Sequence, residues 1–117
     1  MQNAAIVLAF AALGGLALAA IRLNGTPRPP TWMALIHGII AATGLVLLGI
    51  TVFGATSTSV PPMAMWSFGV FVVAALGGAV MFLGYHLRGL ALPIAFVGGH
   101  GLIAVTGFVM LLMSMRV

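Results

Sequence analysis

The sequence predicts an all-α membrane protein, a four-transmembrane-helix bundle built from two parallel helical-hairpin repeats. Three observations predict it. The 117 residues are 63% apolar, with a mean hydropathy of +1.32. Charged residues make up 3%, against about 25% in a soluble domain. Four apolar runs are each long enough to cross a hydrocarbon core, which takes roughly 20 helical residues. Finally, the chain overlays on itself when shifted by 63 residues.

Composition removes whole classes of function. The chain has no Asp, Glu or Lys, and its only side chains of fixed charge are Arg22, Arg28, Arg88 and Arg116. No water-soluble fold covers itself with so few charges, so lipid is the expected solvent. The absence of Cys excludes disulfides and thiolate metal sites. The high isoelectric point follows from the lack of acids, not from a basic patch, so no nucleic-acid partner is expected.

The spans are Gln2–Leu23, Thr31–Phe53, Met63–His86 and Leu92–Met115. Pro and Gly punctuate the breaks at Asn24–Pro30, Ala55–Pro62 and Leu87–Ala91. Spanning strands would show a period of two over shorter segments, which is absent. Trp32, Trp66 and Tyr85 fall near span ends, where amphipathic rings prefer to sit. The first span ends in small residues, as a signal peptide does. It lacks a basic leading region, and its apolar stretch is too long for one, so it is expected to stay. Four hairpin-linked spans put both termini on one side, with Arg116. Arg22, Arg28 and Arg88 lie on the other. The positive-inside rule then places the termini outside and the Arg-bearing loops in the cytoplasm. The expected location is the bacterial inner membrane.

In the repeat, 1–54 and 63–117 form a single domain. Ala11–Gly15 (A-A-L-G-G) returns at Ala74–Gly78, Pro30 meets Pro93, and His37–Leu48 meets His100–Leu111. Over Ala11–Ile50 against Ala74–Met113, 14 of 40 positions are identical, where biased composition alone gives roughly 4. Each copy holds two spans, so both copies keep the same orientation. His37 and His100 therefore share one depth. Packing alone accounts for a typical membrane-helix glycine. A histidine inside a span is costly and is a functional candidate by default, with interhelical hydrogen bonding as the plainer explanation.

His37 lies six residues into its span, so about 9 Å below the start. Counting back along the first helix reaches Leu16 or Ala17, next to Gly14 and Gly15; Gly77 and Gly78 flank His100 in the same way. Gly44 and Gly107 follow the histidines by seven residues, on nearly the same helix face, and are expected to leave room beneath a ligand. Two imidazoles on one axis among small residues suit a planar cofactor with two axial ligands, haem b, one per chain. Zinc or copper would ask for three or four ligands, and the remaining histidine, His86, lies near the membrane surface. Arg22 and Arg88 are candidates to meet the anionic propionates, Arg28 less so; otherwise these Arg set topology and snorkel to headgroups.

This pattern resembles the haem-binding four-helix bundle of membrane b-type cytochromes, in which opposed second and fourth helices supply paired histidines and glycines on the first and third make room for porphyrin. The resemblance implies His37 and His100 as axial ligands and Gly14, Gly15, Gly77 and Gly78 in the glycine role. Such cytochromes often carry a second histidine 13–14 residues further along each ligand helix. Here those places are Ile50–Thr51 and Met113–Ser114, so one haem is expected, displaced toward the Arg-bearing side.

The resulting expectation is single-electron transfer with a quinone or a partner redox subunit, by an electron-carrying protein rather than a stand-alone enzyme. His86 is the candidate base near a quinol. The alternative is a structural or assembly subunit of a larger respiratory or photosynthetic complex, or a homo-oligomer. The chain has the size of the small multidrug resistance transporters but lacks the membrane-embedded Glu on which they depend. Its eight Met are not at one depth, as a copper path would need, and suit packing or lipid contact.

Overall fold

The computed structural model describes residues 1–54 and 59–116. It is all-α: α1 Gln2–Leu23, α2 Thr31–Phe53, α3 Pro62–Met81 continued by a five-residue π-helix Phe82–His86, and α4 Ile94–Ser114. Four helical stretches, counting α3 with its π extension as one, are long and apolar enough to cross a membrane. Residues 55–58 of the second linker, and residue 117, lie outside the described residues.

Prolines set three of the four helix starts. Pro30, Pro61 and Pro93 are the N-caps of α2, α3 and α4. Pro62 occupies the first position of α3, where its missing N–H would have had no partner and its fixed φ suits a helix. The third helix therefore begins one residue earlier than the run starting at Met63. The fourth begins at Ile94 rather than Leu92, because the residue before a proline is pushed out of the α region.

Around the bundle α1 packs on α2, α2 on α3, α3 on α4 and α4 on α1, the contacts being richest inside the two hairpins. Thus α2 and α4 lie across one diagonal. The molecule measures 45 × 20 × 19 Å, about the 40–45 Å thickness of a bilayer with its headgroups. Its outer surface is apolar, with Phe10, Leu16, Ile39, Trp66 and Leu102 all largely exposed. Such a surface fits lipid rather than water.

The core is lopsided. Ala4, Ala5, Leu8, Leu48, Val52, Ala64, Phe71 and Leu111 form one buried cluster at the end that holds the termini. Ser67 is fully buried beside it and donates a 2.7 Å hydrogen bond to the Gly107 carbonyl. In the other half, the helical stretches 12–23, 31–43, 75–85 and 94–106 contain no buried residue.

The far end is tied by polar contacts between the hairpins. Arg22 Nε donates to the Leu92 carbonyl (2.8 Å), the Leu92 N–H donates to the Pro27 carbonyl (3.1 Å), and Arg28 donates to the His86 carbonyl (3.4 Å). The bundle is packed at one end and laced at the other.

Candidate functional site

His37 and His100 stand at the border between the packed and the laced halves. They come from α2 and α4 and meet across the diagonal, ring centres 6.3 Å apart and planes at 88°. Each ring lies against the neighbouring helix of its own hairpin. His37 Nδ1 donates to the Ala11 carbonyl at 2.9 Å, and His100 Nδ1 donates to the Ala74 carbonyl at 2.8 Å.

A carbonyl only accepts, so both Nδ1 atoms carry the proton. In the neutral ring, Nε2 is then a lone-pair atom. Among the described residues, neither Nε2 has a hydrogen-bond partner.

The glycine steps sit where the sequence places them, but they serve the rings directly. A Cβ on Gly15 would stand 3.0 Å from His37 Cε1, and one on Gly78 would stand 3.2 Å from His100 Cε1. Gly14 and Gly77 border the same rings at 3.7 and 3.8 Å. These four glycines admit imidazole edges to the backbones of α1 and α3, whereas the sequence reading assigned that space to porphyrin. His37 also meets α1 about half a turn to a full turn deeper than Leu16 or Ala17.

Gly44 and Gly107 do not leave room for a ligand. A Cβ on Gly44 would fall 2.7 Å from Leu8 Cγ and Cδ2, and one on Gly107 would fall 3.3 Å from Phe71 Cγ and Val70 Cγ1. Both glycines are buried and act as close-approach points between helices, the ordinary use of small residues in membrane bundles. Position on the His face was legible. The large side chain opposite was not.

The outer polar residues divide. Arg22 is half-buried and anchored through Nε, which leaves its terminal N–H groups for an anion. Arg88 and Arg28 are exposed. His86 stands at the end of its span, as read from the sequence, but is buried within the protein. It is 4% exposed, stacks on Phe82 at 5.3 Å, and its Nε2 shares a 2.9 Å hydrogen bond with Thr31 Oγ1. That nitrogen is already engaged, which counts against His86 as the base for a lipid-borne quinol. Sequence reading missed Thr31 and the carbonyls of Ala11 and Ala74. The A-x-x-G-G spacing was the available signal for the carbonyls.

The spacing of the two rings suits one metal ion held between two imidazoles. Metal–imidazole bonds of about 2.0–2.1 Å, with about 1.1 Å from ring nitrogen to ring centre, put two rings on opposite sides of one ion about 6.2–6.4 Å apart. The observed spacing lies in that range. Among the described residues, no group of three or more metal-binding side chains occurs. Fold and site together define an all-α chain with four membrane-length apolar helices and a histidine pair across one diagonal. Comparison with protein-family models, with curated proteins and with solved structures finds no match to this chain.

Proposed function

We propose that this chain is a one-haem membrane cytochrome of the b type, with His37 and His100 as the axial ligands, and that its two hairpins are copies of one ancestral unit lying parallel in the bilayer. The observation that carries the reading is the histidine pair. Two rings 63 residues apart in sequence stand 6.3 Å apart, each tied through Nδ1 so that Nε2 is available. A flat cofactor held by this pair would lie outside the buried cluster that packs the terminal end.

Haem b bound there would supply a one-electron iron couple, tuned by ligand identity and burial. The chain's own residues do the rest. His37 and His100 would hold the iron, and two protein ligands would disfavour oxygen binding. The apolar helices exclude water. Arg22, with Arg88 as a weaker candidate, would meet the propionates at the laced end. Electrons would pass to a quinone or a partner redox subunit near that end, because one haem does not span the bilayer. The Arg-bearing loops would face the cytoplasm of a bacterial inner membrane.

The test is a reduced-minus-oxidised optical spectrum of the purified protein, expressed with adequate haem. Sharp bands of a six-coordinate b haem are expected, at one haem per chain, lost in both His37→Ala and His100→Ala. A colourless wild type would leave a structural subunit as the better reading. Shallow apolar grooves on the outer face favour that second reading, as seats for neighbouring helices; one is lined by Val70, Val73, Leu102, Ile103 and Thr106.

A further inference from the structure

In an α-helix each Cα–Cβ bond tilts toward the N-terminus, so a side chain covers the turn before its own Cα. The outward side of a carbonyl at position i is therefore covered by the side chains at i+3 and i+4. For Ala11 those positions are Gly14 and Gly15; for Ala74 they are Gly77 and Gly78. Both carbonyls are consequently bare on one side, and both bare sides are taken by a histidine Nδ1–H from the next helix. Five other helical glycines in the same half, Gly38, Gly84, Gly98, Gly99 and Gly101, have nothing within 4 Å of a would-be Cβ. The same spacing recurs at Ala95–Gly99, so what distinguishes the steps at Ala11 and Ala74 is the histidine ring packed against each.

We propose that Gly15 and Gly78 are positioning residues that bare the Ala11 and Ala74 carbonyls, lock both imidazoles as the Nδ1–H tautomer with their planes crossed near a right angle, and so hold two Nε2 lone pairs ready for one metal centre. The last clause rests on the bis-histidine reading; the tautomer lock does not. Carbonyl partners of this kind fix ring orientation and raise ligand basicity, and their loss typically costs about 10–100-fold in metal affinity. Gly15 is the tighter position, because its Cβ would press on Cε1 at 3.0 Å while the ring is held to Ala11 at 2.9 Å. Gly69 is the control, since a Cβ there would meet nothing within 4 Å.

The experiment uses full-length protein labelled with 15N-histidine in detergent, at about pH 8, above the usual imidazole value of about 6.5. Ring nitrogen shifts are read first without haem, with His37→Ala and His100→Ala assigning the signals. Wild type is expected to show Nδ1–H tautomers for both histidines. Gly15→Ala is expected to disturb His37 alone, Gly78→Ala to disturb His100 alone and less strongly, and Gly69→Ala neither. Haem titration should then show affinity lowered about 10–100-fold in Gly15→Ala. If Gly15→Ala fails to fold, Gly78→Ala carries the same test at the looser site.

Nε2–H tautomers in wild type, or identical spectra for Gly69→Ala and Gly15→Ala, would overturn the positioning role. A tautomer response in a protein that takes up no haem would support the lock and overturn the bis-histidine reading alone.

Discussion

Gly44 and Gly38 lie on the same helix and differ only in what faces them. A methyl group at position 44 would run into Leu8 at 2.7 Å and its backbone nitrogen at 3.3 Å, whereas one at position 38 would meet nothing within 4 Å. Alanine gains up to about 1 kcal/mol over glycine in a helix interior, and overpacking a tight contact costs about 1–3 kcal/mol. Gly38→Ala should therefore be neutral or stabilising by up to about 1 kcal/mol. Gly44→Ala should be destabilising by about 1–2 kcal/mol net, since the overpacking exceeds the helix gain. Denaturant titration of the two variants in mixed micelles checks the sign. Equal effects would mean that Leu8 yields freely. At the same scale, A-x-x-G-G was visible in the chain as a repeated motif. That its role is to bare a carbonyl required seeing which helix lay alongside.

Among the elements, the π-helix Phe82–His86 is the one the apolar pattern did not announce. A single wide turn leaves hydrophobic periodicity almost unchanged, and π-turns often mark functional sites. Its effect is to end the third span with His86 turned inward, against Thr31 in the first turn of α2. The contact links the two hairpins at the laced end. A double-mutant cycle of Thr31→Val and His86→Ala should give a coupling of about 0.5–1.5 kcal/mol, the usual net worth of one hydrogen bond. A coupling near zero would reduce that contact to mere proximity. The other helix ends were nearly legible, because proline fixes its own φ and restrains its neighbour whatever the tertiary setting. The sequence-read starts at Met63 and Leu92 missed by one or two residues, because hydropathy does not distinguish the proline caps from the apolar residues beside them.

Over the whole molecule, the buried cluster lies at the terminal end and the histidine pair lies outside it. Substitutions at Leu48 or Leu111, which are fully buried, should unfold the protein. Truncation of either to Ala should cost about 2–5 kcal/mol, with the optical spectrum unchanged in the fraction that remains folded. Substitutions at His37 or His100 should do the reverse. The absence of Cys among the described residues and in the sequence makes topology directly measurable. Single replacements Asn24→Cys and Leu90→Cys should be labelled by a membrane-impermeant thiol reagent only from the cytoplasmic face, and Gln2→Cys only from the opposite face. Labelling of Asn24→Cys and Gln2→Cys from the same side would sink the four-span topology.

The sequence by itself determined the four apolar helices, their lengths and the depth shared by His37 and His100, because hydropathy, proline and a 63-residue internal repeat are properties of the chain. It also placed Gly14, Gly15, Gly77 and Gly78 beside those histidines. Tertiary structure alone decided what each small residue touches: imidazole at Gly15 and Gly78, Leu8 at Gly44, and Phe71 with Val70 at Gly107. It alone decided that His86 is buried on Thr31 and that the core fills only one end. A one-dimensional pattern fixes which face of a helix a residue occupies, but the neighbour across that face is chosen by packing between segments far apart in the chain.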